Sequence, residues 1–202
     1  VQLLFQELTG MGKAIETRKL WHAPFTMYQN LDKMILREMH HAKQGKKAHV
    51  IIKVNALTDT AITNVLYKAS QAGVKIDLIV RSMCVLIPGL KGISENITVK
   101  STVGRFLEHS RVYYFHDDGN EKIYCSSADL MERNLYHRLE TCFPILDKEL
   151  AKRIKHECLE VQLQDNCQSW QLASDGQYTQ NTPGTKSAFS AQEYLLSLYA
   201  DH

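Results

Sequence analysis

The chain has 202 residues, of which 44% are hydrophobic, and a formal net charge of only +2 at neutral pH. This length is enough for one well-packed domain, or for one domain with short flanking pieces. The weak net charge excludes anion binding through a generally basic surface, so an anion site requires a local concentration of Lys, Arg and His.

The first predicted elements form a β-α-β unit. Residues 1–27 are interpreted as a helix and linker from a preceding domain, since the chain begins with Val and we expect it to be part of a longer protein. Apolar residues at helical spacing predict a helix over 28–43, with Gly45 as its stop. A buried strand at 49–55, a helix capped by Thr58 or Asp59 and a second strand at 74–81 follow. We expect these two strands to be parallel.

The second half of the chain is richer in β-structure. A turn-rich loop at 86–96 precedes a strand-like run, and two further runs at 111–116 and 122–127 flank Asp118-Gly119, a strong hairpin signal. A strand within 137–146 and a helix from Asp147 to about residue 163 complete the main domain, predicted at 28–164. Residues 165–187 are polar and without periodicity, which indicates an extended crossing or a mobile loop. An amphipathic helix capped by Ser187 or Ser190 ends the chain, and we expect 165–202 to pack on the domain.

The segment FLEHSRVYYF holds the densest group of unusual residues, with His109 and Arg111 two positions apart at the start of a strand. Residues i and i+2 of a strand lie on one face. A guanidinium offers a bidentate fork to phosphate, and an imidazole can donate to, accept from or attack phosphorus. Without further signals, a His-x-Arg pair more often has a structural or surface role than a catalytic one.

After the hairpin comes SSADLMERN, which contains Ser127, Asp129, Arg133 and Asn134. The order His-x-Arg, hairpin, Ser-Ser-Ala-Asp and Asn resembles the signature of the phospholipase D superfamily. That resemblance implies a site built from two facing half-sites, with a histidine nucleophile. Two departures stand out: Arg111 replaces the usual Lys, and the conventional downstream Asp is not clearly matched.

Longer segments resemble one branch of that superfamily. KVNALTD, LYKASQAGVKIDLIVRSMCVLIPGL, GISENITVKSTVGRFLEHSRVYYF and YCSSADLMERNLYHRLE, in this order, are similar to the C-terminal catalytic domain of bacterial polyphosphate kinases over about 18–160. The resemblance implies an α/β, phospholipase D-like fold with a mixed β-sheet flanked by helices. It also implies reversible transfer of the terminal phosphate of ATP to inorganic polyphosphate through a phosphohistidine, with Mg²⁺.

The family carries its phosphorylated histidine in the preceding catalytic domain, within a His-His-Pro motif. His40 and His41 are followed by Ala42 and lie on a predicted helix, so they are interpreted as a solvated helix face. The resemblance therefore implies that this chain contributes a second half-site, that the Mg²⁺ ligands lie mainly outside it, and that it holds no metal site of its own.

By the same resemblance, Arg81 binds nucleotide phosphates, His109 binds nucleotide and acts as a second catalytic histidine, and Arg138 adds a phosphate contact. Each arginine has an alternative as an ion-pair partner of Asp77, Asp129 or Glu140. Strand ends of open α/β sheets gather at a ligand crevice, which places Lys53 and Asn55 beside this group. The residues predicted to line a phosphate channel are Lys53, Asn55, Arg111, Ser127, Asp129, Arg133 and Asn134, with Arg105 as a further candidate.

The implied partners are ATP or ADP, polyphosphate and the preceding catalytic domain, in a full-length enzyme that is a homo-oligomer; nucleic acid is not expected. No apolar stretch approaches the roughly 18–20 residues that span a bilayer. The five cysteines form no CxxC pair, which indicates reduced thiols in a cytoplasmic protein, with a peripheral position at the inner membrane left open.

Two alternatives remain open. A phospholipase D-type phosphodiesterase or nuclease would pair two half-sites across a homodimer, although Arg111 and the unmatched Asp count against it. A non-catalytic polyanion-binding fragment is the other. A dinucleotide-binding domain is excluded because neither GxGxxG nor GxxxxGK[ST] follows any predicted strand.

Overall fold

A computed structural model describes residues 19–200, which share one nine-stranded mixed sheet in the order β1-β7-β6-β5-β2-β3-β4-β8-β9. The strands are β1 (Trp21–Ala23), β2 (His49–Val54), β3 (Lys75–Val80), β4 (Ile97–Thr102), β5 (Arg111–Phe115), β6 (Lys122–Ser126), β7 (Glu140–Pro144), β8 (Ser169–Leu172) and β9 (Tyr178–Gln180). The α-helices are α1 (Met27–Lys43), α2 (Thr60–Gln71), α3 (Lys148–Ile154), α4 (Val161–Gln164) and α5 (Ala191–Ala200), and the π-helical segment Lys155–Glu160 joins α3 to α4.

The predicted β-α-β unit is confirmed. β2 and β3 are parallel neighbours, and β4 continues the parallel run beside β3. The carboxylate of Asp59 caps α2 by accepting a hydrogen bond from the amide of Ile62 at 2.8 Å. Gly73 follows α2 with a φ of +93°, a conformation that favours glycine and turns the chain into β3. The other strand pairs are antiparallel, so the expected mixed sheet is also confirmed.

Both faces of the sheet are covered. Side chains alternate along β2: Val50, Ile52 and Val54 belong to the larger core under α1 and α2, whereas Ile51 belongs to the smaller core under the α3–α4 helix. Each fully buried aliphatic side chain contributes about 1.5–3 kcal/mol. Lys53 lies on the same face as Ile51, at the end of the strand, which sets its position in the site described below.

The hairpin predicted around Asp118-Gly119 joins β5 to β6. Its connection is a short 3₁₀ turn in which Asp117 and Asp118 both have positive φ, 47° and 52°. The turn is held by the buried carboxylate of Glu38, whose Oε1 accepts from the amide of Asp117 at 2.6 Å. His41 lies 3.3 Å from the Asp117 carboxylate, and His40 bonds to Gln44 one turn along α1. His41 therefore has a partner in the β5–β6 turn, and His40 has one in the residue that follows α1.

The two ends of the sheet differ from the sequence-based expectations. The helix predicted within 1–27 lies mainly outside the described residues, while Trp21–Ala23 pairs with β7 as an edge strand. In the segment predicted as a crossing or loop, the structure instead has β8, paired with β4, and β9, paired with β8. These strands have four and three residues, too few for an apolar alternation to reveal them.

Of the helices in the described residues, none combines the length and apolarity needed to cross a membrane. All five cysteines lie in this part of the chain as free thiols.

Candidate active site

The strand directions bring most of the predicted site residues to one edge of the sheet. The carboxyl ends of β2, β3, β4 and β6 meet the amino ends of β5 and β7 there. We call this the site edge. Asn55 follows β2, Arg81 follows β3, His109 precedes β5, Asp129 follows β6 and Arg138 precedes β7. The rule that ligands bind beyond the carboxyl ends of strands in open α/β sheets fits this arrangement.

Asp129 is the hub of the site edge. Its Oδ1 accepts hydrogen bonds from the Asn55 amide at 2.8 Å and from Arg111 Nε at 3.1 Å, and its Oδ2 accepts from Arg111 Nη2 at 2.9 Å. Burial by itself raises the pKa of Asp129, but the bonds from Arg111 and from the backbone amides of Asn55 and Ala56 outweigh it and lower the pKa. The carboxylate is therefore ionised, and it fixes the Arg111 guanidinium as a two-pronged fork.

Arg111 in turn contacts His109. Its Nη1 donates to the His109 carbonyl oxygen at 3.3 Å, and its Nη2 lies 3.5 Å from His109 Nε2. The imidazole of His109 is exposed to solvent. The predicted His-x-Arg pair thus forms, but most of the guanidinium is engaged by Asp129 and His109, so Arg111 orients the histidine and is not a free phosphate ligand.

Arg81 stands beside this network with a largely uncompensated charge. Its Nε donates to Asn55 Oδ1 at 3.0 Å, and Asn55 Nδ2 donates to Asp129 Oδ1 at 3.1 Å, so Asn55 links Arg81 to the hub. Within residues 19–200 no carboxylate forms an ion pair with Arg81, and neither Nη1 nor Nη2 has a hydrogen-bond partner. A cleft of about 360 Å³ lies between Arg81 and the residues from Thr102 to Glu108. Its arginine offers two free nitrogens to an anion.

Lys53 is engaged beneath the loop that carries His109. Its side chain is 3% exposed and its Nζ lies 2.7 Å from Glu108 Oε2. Burial raises the pKa of Glu108, but the charge and hydrogen bond of Lys53 outweigh it and lower that pKa. This pair anchors the residue that directly precedes His109, and it engages the Lys53 ammonium group with Glu108.

Ser127 and Asn134 form a separate network around Glu140. The Ser127 hydroxyl and the Asn134 amide, at 2.7 Å, both donate to the Glu140 carboxylate. Neither has a hydrogen bond to His109 or Arg111 in the described chain. Arg133 is exposed, and among residues 19–200 its guanidinium has a hydrogen-bond contact only with the sulfur of Met131, at 4.0 Å.

Arg138 is exposed at the start of β7, four strands from Arg81 in the sheet order. At about 4.8 Å per strand, roughly 19 Å separates the strands that carry the two arginines. Arg138 has no ion pair or hydrogen bond among the described residues. The two arginines therefore lie on either side of the hub, and they do not form one cluster.

Two side chains at this edge, Glu108 and Gln192, were not singled out from the sequence, and Glu140 was named only as an alternative ion-pair partner. Glu108 is next to His109, and an acid beside a candidate catalytic residue was a signal that could have been used. Gln192 is 86 residues from Phe106, whose backbone it contacts, and nothing in the local pattern marks it. The carboxylates at this edge are the candidate Mg²⁺ ligands of this chain. Asp129, Glu108 and Glu140 already accept hydrogen bonds from other side chains, so they are not free to coordinate an ion. In the described part of the chain, no three His, Cys, Asp or Glu side chains gather as a metal site.

The architecture defines a phospholipase D-like domain. It resembles Nuc from Salmonella typhimurium, a phospholipase D family member, with a TM-score of 0.56 at 13% identity, covering 77% of this chain and 97% of that one. At this low identity the likeness concerns the fold alone.

Residues 20–192 match the family model described as polyphosphate kinase C-terminal domain 2, and the chain belongs to that family. The polyphosphate kinase of Pseudomonas aeruginosa is 54% identical over 198 residues, which cover 98% of this chain and 29% of the relative. That of Burkholderia multivorans is 49% identical over 199 residues, with the same coverage. The crystal structure of polyphosphate kinase from Porphyromonas gingivalis matches with a TM-score of 0.94 at 36% identity, covering 99% of this chain and 31% of that one. The chain thus spans less than a third of these relatives.

Proposed function

We propose that this chain supplies one half of the active site of a polyphosphate kinase, which reversibly transfers the terminal phosphate of ATP to inorganic polyphosphate. The proposal rests on the family, and within the structure on one observation: the unpaired guanidinium nitrogens of Arg81 lie at the same edge as an exposed His109 that Arg111 and Asp129 orient.

The reaction has two steps in this proposal. The bond between the terminal phosphorus of ATP and its bridging oxygen breaks, while a histidine nitrogen of the preceding catalytic domain bonds to that phosphorus. A terminal oxygen of polyphosphate then attacks the phosphorus and releases the histidine. Phosphoryl transfer depends mainly on positioning and on neutralising charge. Arg81 neutralises nucleotide phosphate charge, and His109 donates a proton to, or stabilises charge on, the oxygen that leaves.

The remaining predicted residues take supporting roles in this scheme. Arg138, with Arg105 and Arg133, offers exposed positive charge along the path of a long polyanion. Mg²⁺ would neutralise charge on the ATP phosphates, and its protein ligands would come from the preceding domain. We further propose that the full-length enzyme is a homo-oligomer that acts in the cytoplasm, where ATP is available.

The test measures phosphate transfer from ATP to polyphosphate by this chain alone, by this chain with the preceding domains added, and by the full-length enzyme. We expect activity only with the added domains. His109→Ala should lower kcat by about 10²–10⁴-fold, the range for loss of a general acid–base group. His156→Ala is the matched control, because His156 is half-exposed on the helix after α3, and its activity should equal that of the unaltered enzyme.

Two results would contradict the proposal. Transfer by this chain alone would place the nucleophilic histidine within it. Hydrolysis of a model phosphodiester by this chain, lost in His109→Ala, would instead support the phosphodiesterase reading.

A further inference from the structure

The loop 103–110, which carries His109 from β4 to β5, is fastened to the chain's last helix by one side chain. The amide group of Gln192 pairs with the backbone of Phe106 in both directions: Phe106 N donates to Gln192 Oε1 at 2.9 Å, and Gln192 Nε2 donates to the Phe106 carbonyl at 2.8 Å. Gln192 Nε2 also lies 2.9 Å from Glu108 Oε1. Gln192 is only 5% exposed, so water does not compete for these bonds.

The loop has little apolar anchorage of its own. Val103 is 62% exposed, Phe106 45% and Leu107 69%. Its conformation therefore depends on polar contacts, and the geometry around Gly104 supports this. A Cβ atom at Gly104 would lie 2.5 Å from the side-chain oxygens of both Gln168 and Gln192, so only glycine allows these two amides to approach the loop so closely.

The contacts reach His109 through Glu108. One carboxylate oxygen of Glu108 accepts from Gln192, and the other accepts from the buried Lys53 at 2.7 Å. Glu108 is thus held from two sides, immediately before the histidine. The helix that bears Gln192 is itself fixed, because the buried carboxylate of Asp165 accepts from the amide of Ala191 at 2.7 Å.

We propose that Gln192 is a positioning residue for His109: by clamping Phe106 and Glu108 it fixes the loop so that the imidazole meets the reacting phosphate. This inference rests on the proposed function of His109. Gln192 acts through the loop and does not touch the substrate. It also gives the C-terminal helix a role in the reaction that its amphipathic sequence did not suggest.

The test uses the full-length enzyme with Gln192→Met, which keeps the length of the side chain and removes its donor and acceptor. Hydrogen exchange of the Phe106 amide should become about tenfold faster, since its partner is lost. A displacement of His109 by about 1 Å should lower kcat by about 10–100-fold, with a much smaller change in the KM for ATP. Gln171→Met is the matched control, because it removes a bond to the Val99 carbonyl, 2.9 Å long, away from the loop. It should change neither quantity.

Gln192→Glu adds a signature that a general loss of stability would not produce. An ionised carboxylate accepts from Phe106 N but cannot donate to the Phe106 carbonyl, and it repels Glu108. The neighbouring charge raises the pKa of the introduced carboxyl group. Protonation restores a donor, so kcat relative to the unaltered enzyme should recover as the pH falls toward that pKa. The same ratio should stay flat with pH in Gln192→Met.

The outcomes separate this inference from the proposed function. Unchanged exchange of Phe106 in Gln192→Met would overturn the clamp. Faster exchange with unchanged kcat would overturn its role in positioning, while the loss of activity in His109→Ala would still stand for the proposed function. If His109→Ala were also fully active, both would fall.

Discussion

The two edges of the sheet differ in how far their charged side chains are paired with opposite charges. At the edge opposite the site, which we call the turn edge, three aspartates each have a cationic or histidine partner. Asp117 lies 2.8 Å from Arg37 Nε, Asp118 lies 2.6 Å from Lys46, and Asp77 lies 2.7 Å from His49. At the site edge, Arg81 and Arg138 have no acidic partner among residues 19–200. The uncompensated cations and the exposed His109 at the site edge are the basis for proposing that an anion binds there.

The cations at the site edge are of two kinds, those without an acidic partner and those that an acid neutralises. Lys53 and Arg111 lie at the site edge too, yet Glu108 and Asp129 neutralise them within the protein. Arg111 and Asp129 are each 13% exposed in their side chains. Removing one member of such a buried pair leaves the other uncompensated, which is costly for folding. Only the arginines without acids are free to respond to a ligand.

Among the variants that compare the two edges, the largest effect on activity is expected at Arg81. In the full-length enzyme, Arg81→Met should lower kcat/KM for ATP by about 10²–10³-fold, because one preorganised donor to the developing charge is lost. The free energy of unfolding of this chain should fall by about 0.5–1.5 kcal/mol, since no ion pair breaks and only the hydrogen bond to Asn55 Oδ1 is lost. Steady-state kinetics and urea unfolding measure the two quantities.

Arg37→Met is the matched control at the turn edge. It breaks a partly exposed ion pair to Asp117, so it should cost about 0.2–1 kcal/mol of stability and leave kcat/KM unchanged. The contrast between the edges fails if the two variants show the same pattern.

A smaller effect, on stability alone, is expected at Glu38, which is fully buried. Its two carboxylate oxygens accept from the amides of Asp117 at 2.6 Å and His49 at 3.0 Å. Glu38→Gln keeps one acceptor and turns an NH₂ group toward the other amide. Leaving a buried N–H unsatisfied should cost about 1–3 kcal/mol in urea unfolding, with no change in kcat.

Glu95→Gln makes the same chemical change at an exposed position and should be neutral. If Glu38→Gln lost activity under conditions in which it is fully folded, the turn edge would affect catalysis as well as stability, and the distinction between the two edges would fail.

Much of the fold followed from local patterns. The apolar runs of β2 and β3, the caps at Asp59 and Asp147 and the hairpin around Asp118-Gly119 all lie where periodicity and turn chemistry predict them. β1, β8 and β9 did not, because strands of three or four residues are stabilised by their neighbours in the sheet and not by a pattern of their own.

The site residues also fall into those whose position the sequence predicts and those whose partners it does not. Strand order alone brings Asn55, Arg81 and His109 to one edge. Which cations are neutralised depends on contacts between distant segments, such as Lys53 with Glu108, 55 residues apart, and Arg111 with Asp129. Residue types and spacing do not encode these pairings, so the channel predicted from the sequence included side chains that the structure commits to other partners.

The last effect depends on pH and concerns Asp77 at the turn edge. Burial raises the pKa of Asp77, but hydrogen bonds from His49, Thr98 and Lys75 outweigh it and lower the pKa from 3.8 to about 2. A carboxyl group with a depressed folded-state pKa stabilises the fold above its unfolded pKa, and this contribution disappears as the pH falls through the folded-state value.

Asp77→Asn should therefore cost stability above pH ~4, and the difference from the unaltered chain should shrink between pH ~4 and ~2. With solvent screening, about 1–2 kcal/mol is at stake. Urea unfolding of both chains at each pH measures the difference. A difference that stays constant over this range would mean that Asp77 stabilises the turn edge through hydrogen-bond geometry and not through its charge. Charge compensation would then not distinguish the turn edge from the site edge.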